Sequence, residues 1–591
     1  MVSGSILQSS GVKIIRNKKT HLKKTSPFYG FFQLVLHAHI PYVVNHGRWP
    51  HGLDWLNEAA AEVYLPIIEV FDRLEKERID AHITIDITPV LAEQLRSRIF
   101  KEDFIKYLKE RIESAKSDKN HFLKEDFKSR AAIASKWIEF YKKRLKQFLE
   151  LKKDIIGALR ELQDKGAIEI ITSAATHGYL PLLGNDRSVR TQIRTAVVNY
   201  EKHFGKKPDG IWLPECAYRP AYRWKKPIGK GRVTKRKGIE EILDEEGIQF
   251  TFIDAPLLRG GESIGAYIGR FKSLKLLWER FKKGYKPEPV KENLTPYLPY
   301  FLTSRGKEKG VTFFVRDPKT GLVVWSRDLG YPGDGNYLEF HKKSFPGGHR
   351  YWRVSDAKSD LALKEEYSFD NARNKQKEHA AHFVALIEDT LKNFCRKNRR
   401  TGIITAPFDA ELFGHWWFEG PQWLYNVIKG IHLKKTIKTV TGSAYLKENH
   451  PETVVHLPEG SWGKGNFHYI WLNKETEWTW EKIYECERAF NKLIDRNCIK
   501  KKAIPFLLQA ARELLLLESS DWQFLISTWQ ARDYAESRFS EHYENFNRLL
   551  EIAERLQEGK RATKKTNEFL SDLENKDCIF KELTLDIFNK E

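Results

Sequence analysis

Sulfur is scarce in this chain of 591 residues, which has five cysteines and one methionine. Cys216, Cys395, Cys486, Cys498 and Cys578 are scattered and odd in number, with no CxxC spacing. That excludes a disulfide framework and a zinc ribbon, and it fits a reducing compartment, the cytoplasm. No apolar run reaches the roughly 18–20 residues of a membrane-crossing helix, so no membrane partner is expected. Phosphate loops are absent too: Gly229-Lys230-Gly231 lacks both the spacing and the strand–helix context. There is no internal repeat and no long low-complexity segment.

Charge and aromatic rings are abundant. Lys and Arg number 100 against 79 Asp and Glu, a net +21. The excess lies in an acid-free tail at 1–27, an acid-free run from Arg223 to Lys237, and Arg396–Arg400. These read as a tail, a loop and a helix C-terminus, where the macrodipole favours cations. No nucleic-acid module accompanies them, so no nucleic-acid partner is expected. The Ser-rich basic tail reads as a disordered extension, with a transit peptide as the alternative. Aromatics make up 13% of the chain, and 17 residues are Trp, which excludes disorder for most of its length.

Short β-branched runs alternate with helical patterns. Strands are expected at Phe31–Leu36, His82–Ile87, Ala167–Ile171, Gly210–Leu213, Phe250–Ile253, Gly402–Ala406 and Thr453–Leu457. Helical patterns such as Ala59–Leu74 and Phe369–Lys397 lie between them. Such alternation predicts a parallel sheet, and this many strands predict a barrel. The expected layout is a basic tail (1–27), a barrel in two parts (28–99 and 161–460), and a helical insertion (100–160). A loop insertion (256–350) contains a hairpin, Val311–Trp325, turning at Pro318-Lys319-Thr320-Gly321. A helical C-terminal domain (461–560) and a charged tail (561–591) follow.

Barrel enzymes place their chemistry at the C-terminal ends of strands. Here those ends run into His37-Ala38-His39, Thr172–His177, Pro214-Glu215, Asp254, Phe408-Asp409-Ala410-Glu411 and Pro458-Glu459. Glu215 lies between Trp212 and Tyr218, as suits sugar chemistry; a salt bridge to Arg219 is the plainer reading. Two rim carboxylates such as Glu215 and Asp409 are what glycosidic cleavage needs. Glu411 competes for that role or fixes its own loop. His37 and His39 share one side of a strand, which fits a metal ion, sugar hydroxyls or a structural role. Ile40-Pro41 follows where zinc barrels of this kind place an Asp ligand, so no metal and no cofactor are expected. Trp522 and Trp529 are core residues or the floor of a sugar cleft.

At this point the chain resembles glycoside hydrolase family 57, and within it the 1,4-α-glucan branching enzymes. The carrying motifs are His37–Tyr42, Thr172–Pro181 (TSAATHGYLP), Gly210–Pro220 (GIWLPECAYRP), Ala406–Gly420 (APFDAELFGHWWFEG) and Ala531–Phe546. The resemblance implies a distorted, TIM-like (β/α)7 barrel with an inserted helical subdomain and a C-terminal helical domain. It implies Glu215 as nucleophile and Asp409 as general acid/base, with burial near Trp416 and Trp417 raising the Asp409 pKa. It also implies α-1,4-glucan donor and acceptor chains as partners, with His37, His39, His177, Trp212 and Trp416 contacting the donor and the loop around Tyr297–Gly335 and the C-terminal helices bearing Trp522 and Trp529 binding the acceptor and excluding water. Tyr297 and Tyr300 are the candidates for a tyrosine on a mobile loop tied to transfer. An α-glucan hydrolase or a 4-α-glucanotransferase would use the same carboxylates.

Overall fold

A computed structural model describes residues 28–229, 231–259, 294–304, 310–326, 330–356, 358–496 and 498–589. The readings made for the tail at 1–27 lie outside them. The fold is a (β/α)7 barrel with a helical insertion and a C-terminal helical domain. Its strands are β1 (Gly30–Ala38), β2 (Ile83–Ile87), β3 (Ile168–Ile171), β4 (Phe250–Ile253), β5 (Val311–Val315) and β6 (Gly402–Asp409). A short stave at 210–212 completes the ring. Every pairing around the ring is parallel: β1 with β2, β2 with β3, and β3 with the stave through Thr172 and Ile211. The stave meets β4 through Gly210 and Phe250, and β4 pairs with β5. Arg316, just past β5, bridges Thr405 of β6, and β6 pairs with β1. Helices cover the outside, so β2 to β6 are buried along their whole length and read as mostly apolar runs.

Two strand assignments are corrected. The segment Val311–Trp325 is no hairpin: β5 is a barrel stave, and Pro318–Trp325 is a helix. Asp317 caps that helix by accepting from the Thr320 N–H at 2.7 Å, and Pro318 occupies its first turn, so the Pro-Lys-Thr-Gly signal marked a helix start. Thr453–Leu457 is not a barrel stave. Only Val454–Val455 is strand, and it pairs with Tyr300–Leu302, which packs antiparallel on the outer edge of β5.

Helices Arg98–Lys124 and Lys128–Glu150 form an antiparallel pair between β2 and β3, with a core of Phe104, Trp137, Tyr141 and Phe148. Past β6 and its helices, the C-terminal helices Glu477–Ile494, Ile504–Leu517, Ser520–Thr528 and Arg532–Gln557 dock on the rim that carries the strand ends. Ser519 bridges Gly178, the Ser520 N–H donates to the His177 carbonyl at 3.1 Å, and Arg538 donates to the Tyr42 carbonyl at 2.7 Å. Among the described residues, no helix is long and apolar enough to cross a membrane.

Ring closure depends on close backbone approach at Gly30. It has φ +151°, and a β-carbon there would stand 2.1 Å from the Gly402 carbonyl oxygen. Gly30→Ala is expected to destabilise the chain by about 1–3 kcal/mol, the usual cost of overpacking, seen as a lower denaturation midpoint.

Candidate active site

The parallel register sets the first row of the site. His37 on β1 lies between Asp86 on β2 and Asp409 on β6 as paired positions. Its Nδ1 is hydrogen-bonded to Asp86 Oδ2 at 2.5 Å. Burial raises the Asp86 pKa and lowers that of His37, which favours a neutral pair in which the carboxyl O–H donates to Nδ1. Behind His37 stands Trp212, ring on ring at 5.2 Å and fully buried.

Glu215 follows the 210–212 stave in a tight turn and adopts φ 60°, with Cys216 next to it at φ 47°. Non-glycine residues are uncommon in this left-handed region and collect at functional sites. The turn aims the carboxylate at the rim instead of along the strand. Trp462 donates its indole N–H to Glu215 Oε2 at 2.7 Å and its backbone N–H to the Glu215 carbonyl at 3.1 Å. Ser520 donates to Oε1 at 3.3 Å. Burial, with the nearby charges of Asp409 and Asp521, pushes the Glu215 pKa up to about 8, while the Trp462 and Ser520 donors pull the other way. Arg219 makes no bond to Glu215; it donates to the Lys237 and Pro220 carbonyls and stands 3.8 Å from Asp186.

Asp409 ends β6 and is 8% exposed. Two residues on, Glu411 Oε1 accepts from Tyr64 Oη at 2.6 Å and from the His39 N–H at 3.2 Å, which ties its loop to the barrel. Burial and Asp409 raise its pKa to about 8.

The C-terminal helices supply what the barrel lacks. His39 Nε2 meets both Asp521 carboxylate oxygens, at 2.9 and 3.0 Å, and its Nδ1 faces Thr88 Oγ1 at 3.1 Å. Burial opposes the Asp521 charge, but His39 and His177 outweigh it and hold its pKa below the usual carboxylate range. The His177 ring stacks on His39 at 4.1 Å, and its Nδ1 bonds Ser520 Oγ at 2.9 Å. Since Ser520 donates to Glu215, His177 donates to Ser520, and the relay runs from His177 through Ser520 to Glu215. Among the described residues His177 Nε2 is buried with no partner, an acceptor poised for a hydroxyl. Burial, His39 and His37 lower the His177 pKa, in keeping with a neutral ring.

His39, His177 and Asp521 also bring three ligand atoms within 4.8 Å of one another, a grouping able to hold a metal ion. The third ligand comes from 482 residues along the chain, beyond anything the sequence around His37-Ala38-His39 carries. Trp462, Ser520, Asp521 and Asp86 join the site only through the fold. The one local signal was Ser519-Ser520-Asp521, a helix-start pattern ahead of an apolar run.

Other expected contacts fall elsewhere. Trp522 is 1% exposed and gives its indole N–H to the Leu516 carbonyl at 2.8 Å; it belongs to the core. Trp212 likewise offers no exposed face and acts as a backing for His37. Tyr297 accepts from the Ile403 N–H at 3.0 Å and packs on Phe394, at the start of β6 and so at the opposite end of the barrel. Tyr300 is buried, bonded to Thr295. Trp416 is half-buried on the loop after Asp409, and Trp529 is 59% exposed under the Arg532 guanidinium.

Residues 33–458 match the family model of glycosyl hydrolase family 57, and residues 482–588 match that of the 1,4-alpha-glucan branching enzyme C-terminal domain. A curated 1,4-alpha-glucan branching enzyme of Thermococcus kodakarensis is 43% identical over 522 residues, 88% of this chain and 73% of the relative. The crystal structure of a branching enzyme from Pyrococcus horikoshii superposes with a TM-score of 0.84 at 39% identity, covering 95% of this chain and 98% of the other. An alpha-amylase from Thermotoga maritima superposes with a TM-score of 0.77 at 28% identity, covering 95% and 99%. By sequence and by fold, the chain belongs to glycosyl hydrolase family 57.

Proposed function

We propose that this protein is a 1,4-α-glucan branching enzyme, which cleaves an α-1,4-glucan and transfers the segment to a C6 hydroxyl, making the α-1,6 branches of glycogen. One observation carries the reading. The C-terminal helices, the part that matches branching enzymes, deliver Ser520 and Asp521 onto the Glu215–Asp409 rim. Glu215 is the nucleophile and attacks the anomeric carbon. Asp409 is the general acid, protonating the departing glycosidic oxygen, and then the base that takes the proton of the acceptor hydroxyl. The Trp462 and Ser520 hydrogen bonds favour the charged, attacking form of Glu215 and partly offset the burial that holds its proton on. His37, His39 and the free Nε2 of His177 bind sugar hydroxyls. Trp416 and Trp529 offer aromatic faces to glucan rings, while Trp212 and Trp522 act from behind. No step in this scheme needs a metal or a cofactor.

A second reading, an α-glucan hydrolase, draws on the likeness to the Thermotoga maritima alpha-amylase. Linkage decides between them. Incubation with amylose is expected to yield α-1,6 points by NMR or isoamylase digestion; new reducing ends alone would favour hydrolysis. Overnight dialysis against a chelator is expected to leave activity unchanged, whereas a zinc enzyme would lose it.

Glu215→Gln is expected to lower kcat/KM by roughly a thousandfold or more, as loss of a nucleophile does. The same substitution has a stability signature. With its folded pKa near 8 against about 4.5 unfolded, Glu215 binds a proton in the native state that the unfolded chain releases over that window. Raising the pH from 4.5 to 8 therefore costs native stability through this group. Glu215→Gln is expected to melt several degrees above the wild type at pH 8, with the gap closing below pH 4.5.

A further inference from the structure

A buried knot outside the reacting centre grips the loop that carries Asp409 and Trp416. It begins at Pro66, inside the helical run Leu53–Lys76. Proline has no N–H to give the Glu62 carbonyl four residues back. There the helix opens into one π turn, Ala60–Tyr64. Such turns recur at functional sites. The Glu62 carbonyl lies against Gly414: a β-carbon on Gly414, which has φ +123°, would stand 1.8 Å from the Glu62 oxygen. Helix and loop thus meet backbone to backbone.

Side chains of the same turn reach the same loop. Tyr64 donates to Glu411 Oε1, and Glu62 Oε2 meets His415 Nδ1 at 3.1 Å. Glu62 Oε1 pairs with the Arg350 guanidinium at 2.9 Å, and Arg350 donates to the His415 carbonyl at 3.0 Å. Trp137 of the helical insertion donates its indole N–H to the Arg350 carbonyl at 2.8 Å and faces its guanidinium at 5.5 Å. Glu62 and Arg350 are 6% and 5% exposed. Burial opposes the Glu62 charge, yet Arg350 and His415 hold its pKa below the usual carboxylate range. A buried ion pair gains little net stability over an apolar filling. What this one fixes is position: barrel helix, helical insertion and catalytic loop are clamped at one point.

We infer that Glu62, Arg350 and His415 are positioning residues that hold the Asp409–Trp416 loop over the reacting centre and set how the covalent intermediate divides between an acceptor hydroxyl and water. This rests on the branching reading. In both outcomes the C1–O bond to Glu215 breaks, a C1–O bond forms to the incoming oxygen, and the proton of that oxygen passes to Asp409. Only the identity of the incoming oxygen differs, and a loop seated correctly admits the glucan and excludes water.

The test is Glu62→Gln on the full chain, with circular dichroism to verify folding. Gln keeps the shape and a bond to His415 but removes the counter-charge of Arg350. A small misplacement costs catalysis steeply, so kcat for branching is expected to fall about tenfold with KM changed less than about twofold. The ratio of new reducing ends to α-1,6 points is expected to rise about fivefold or more. Glu246→Gln, which breaks a pair with Arg194 at 2.7 Å just past the helix Ile239–Glu245, should lower stability without moving that ratio. A folded Glu62→Gln with wild-type kcat and ratio overturns the inference. Should that variant fail to fold, His415→Ala carries the same readout, and an unchanged ratio overturns it equally. A wild type that forms no α-1,6 links refutes the branching reading instead; the clamp is then judged on hydrolysis, where an unchanged kcat in Glu62→Gln overturns it.

Discussion

The pairing of β1 with β6 is the constraint on which the rest of the molecule depends. Residues Gly30 to His37 run beside Gly402 to Asp409 in unbroken parallel register. A slip of one residue would turn every side chain to the other face. The register closes the ring, seats His37 between Asp86 and Asp409, and brings β6 to the rim with its carboxylate facing the site. Backbone hydrogen bonds and two glycines at the start of the pair enforce it, so the row Asp86–His37–Asp409 is a consequence of how the barrel shuts.

A second constraint is electrostatic. Three acids, Glu215, Asp409 and Glu411, share a largely dry rim. Burial and the neighbouring Asp409 charge push protons onto Glu215 and Glu411, and fixed donors from Trp462, Ser520, Tyr64 and the His39 backbone choose where charge is tolerated. Glycosidic cleavage needs one proton on one carboxyl and none on its neighbour. The surroundings make that unequal sharing possible, and part of those surroundings comes from helices near the C-terminus. The positive φ at Glu215 and Cys216 belongs to the same economy of position: an energetically awkward turn is retained because it aims the carboxylate.

Much of the fold was legible because parallel staves are buried on both faces and leave short, mostly apolar runs. β1, β2, β3, β4 and β6 stand out that way. β5 does not stand out for a local reason: the helix-capping signal at Asp317-Pro318 uses the same residues as a hairpin turn. Glu215 and Asp409 are legible as rim residues because each follows an apolar run. Sequence alone leaves Trp522 open between core and cleft, since a Trp in the core and a Trp under a sugar look alike in one dimension; the fold buries it. Tyr297 sits at the far end of the barrel, and Tyr300 is buried beside the middle of β5.

What the sequence determined by itself was local: where apolar runs end, and which acids and histidines stand at those ends. That is enough to name a barrel, a rim and a pair of carboxylates, because burial periodicity and strand-end chemistry are properties of neighbours in the chain. The partnerships were decided by tertiary structure alone. His39 finds Asp521, Glu215 finds Trp462 and Ser520, and Glu62 finds Arg350 and His415 across hundreds of residues. Hydrogen bonds and ion pairs act over a few ångströms, and only the closed barrel with its docked helices brings such residues within that range.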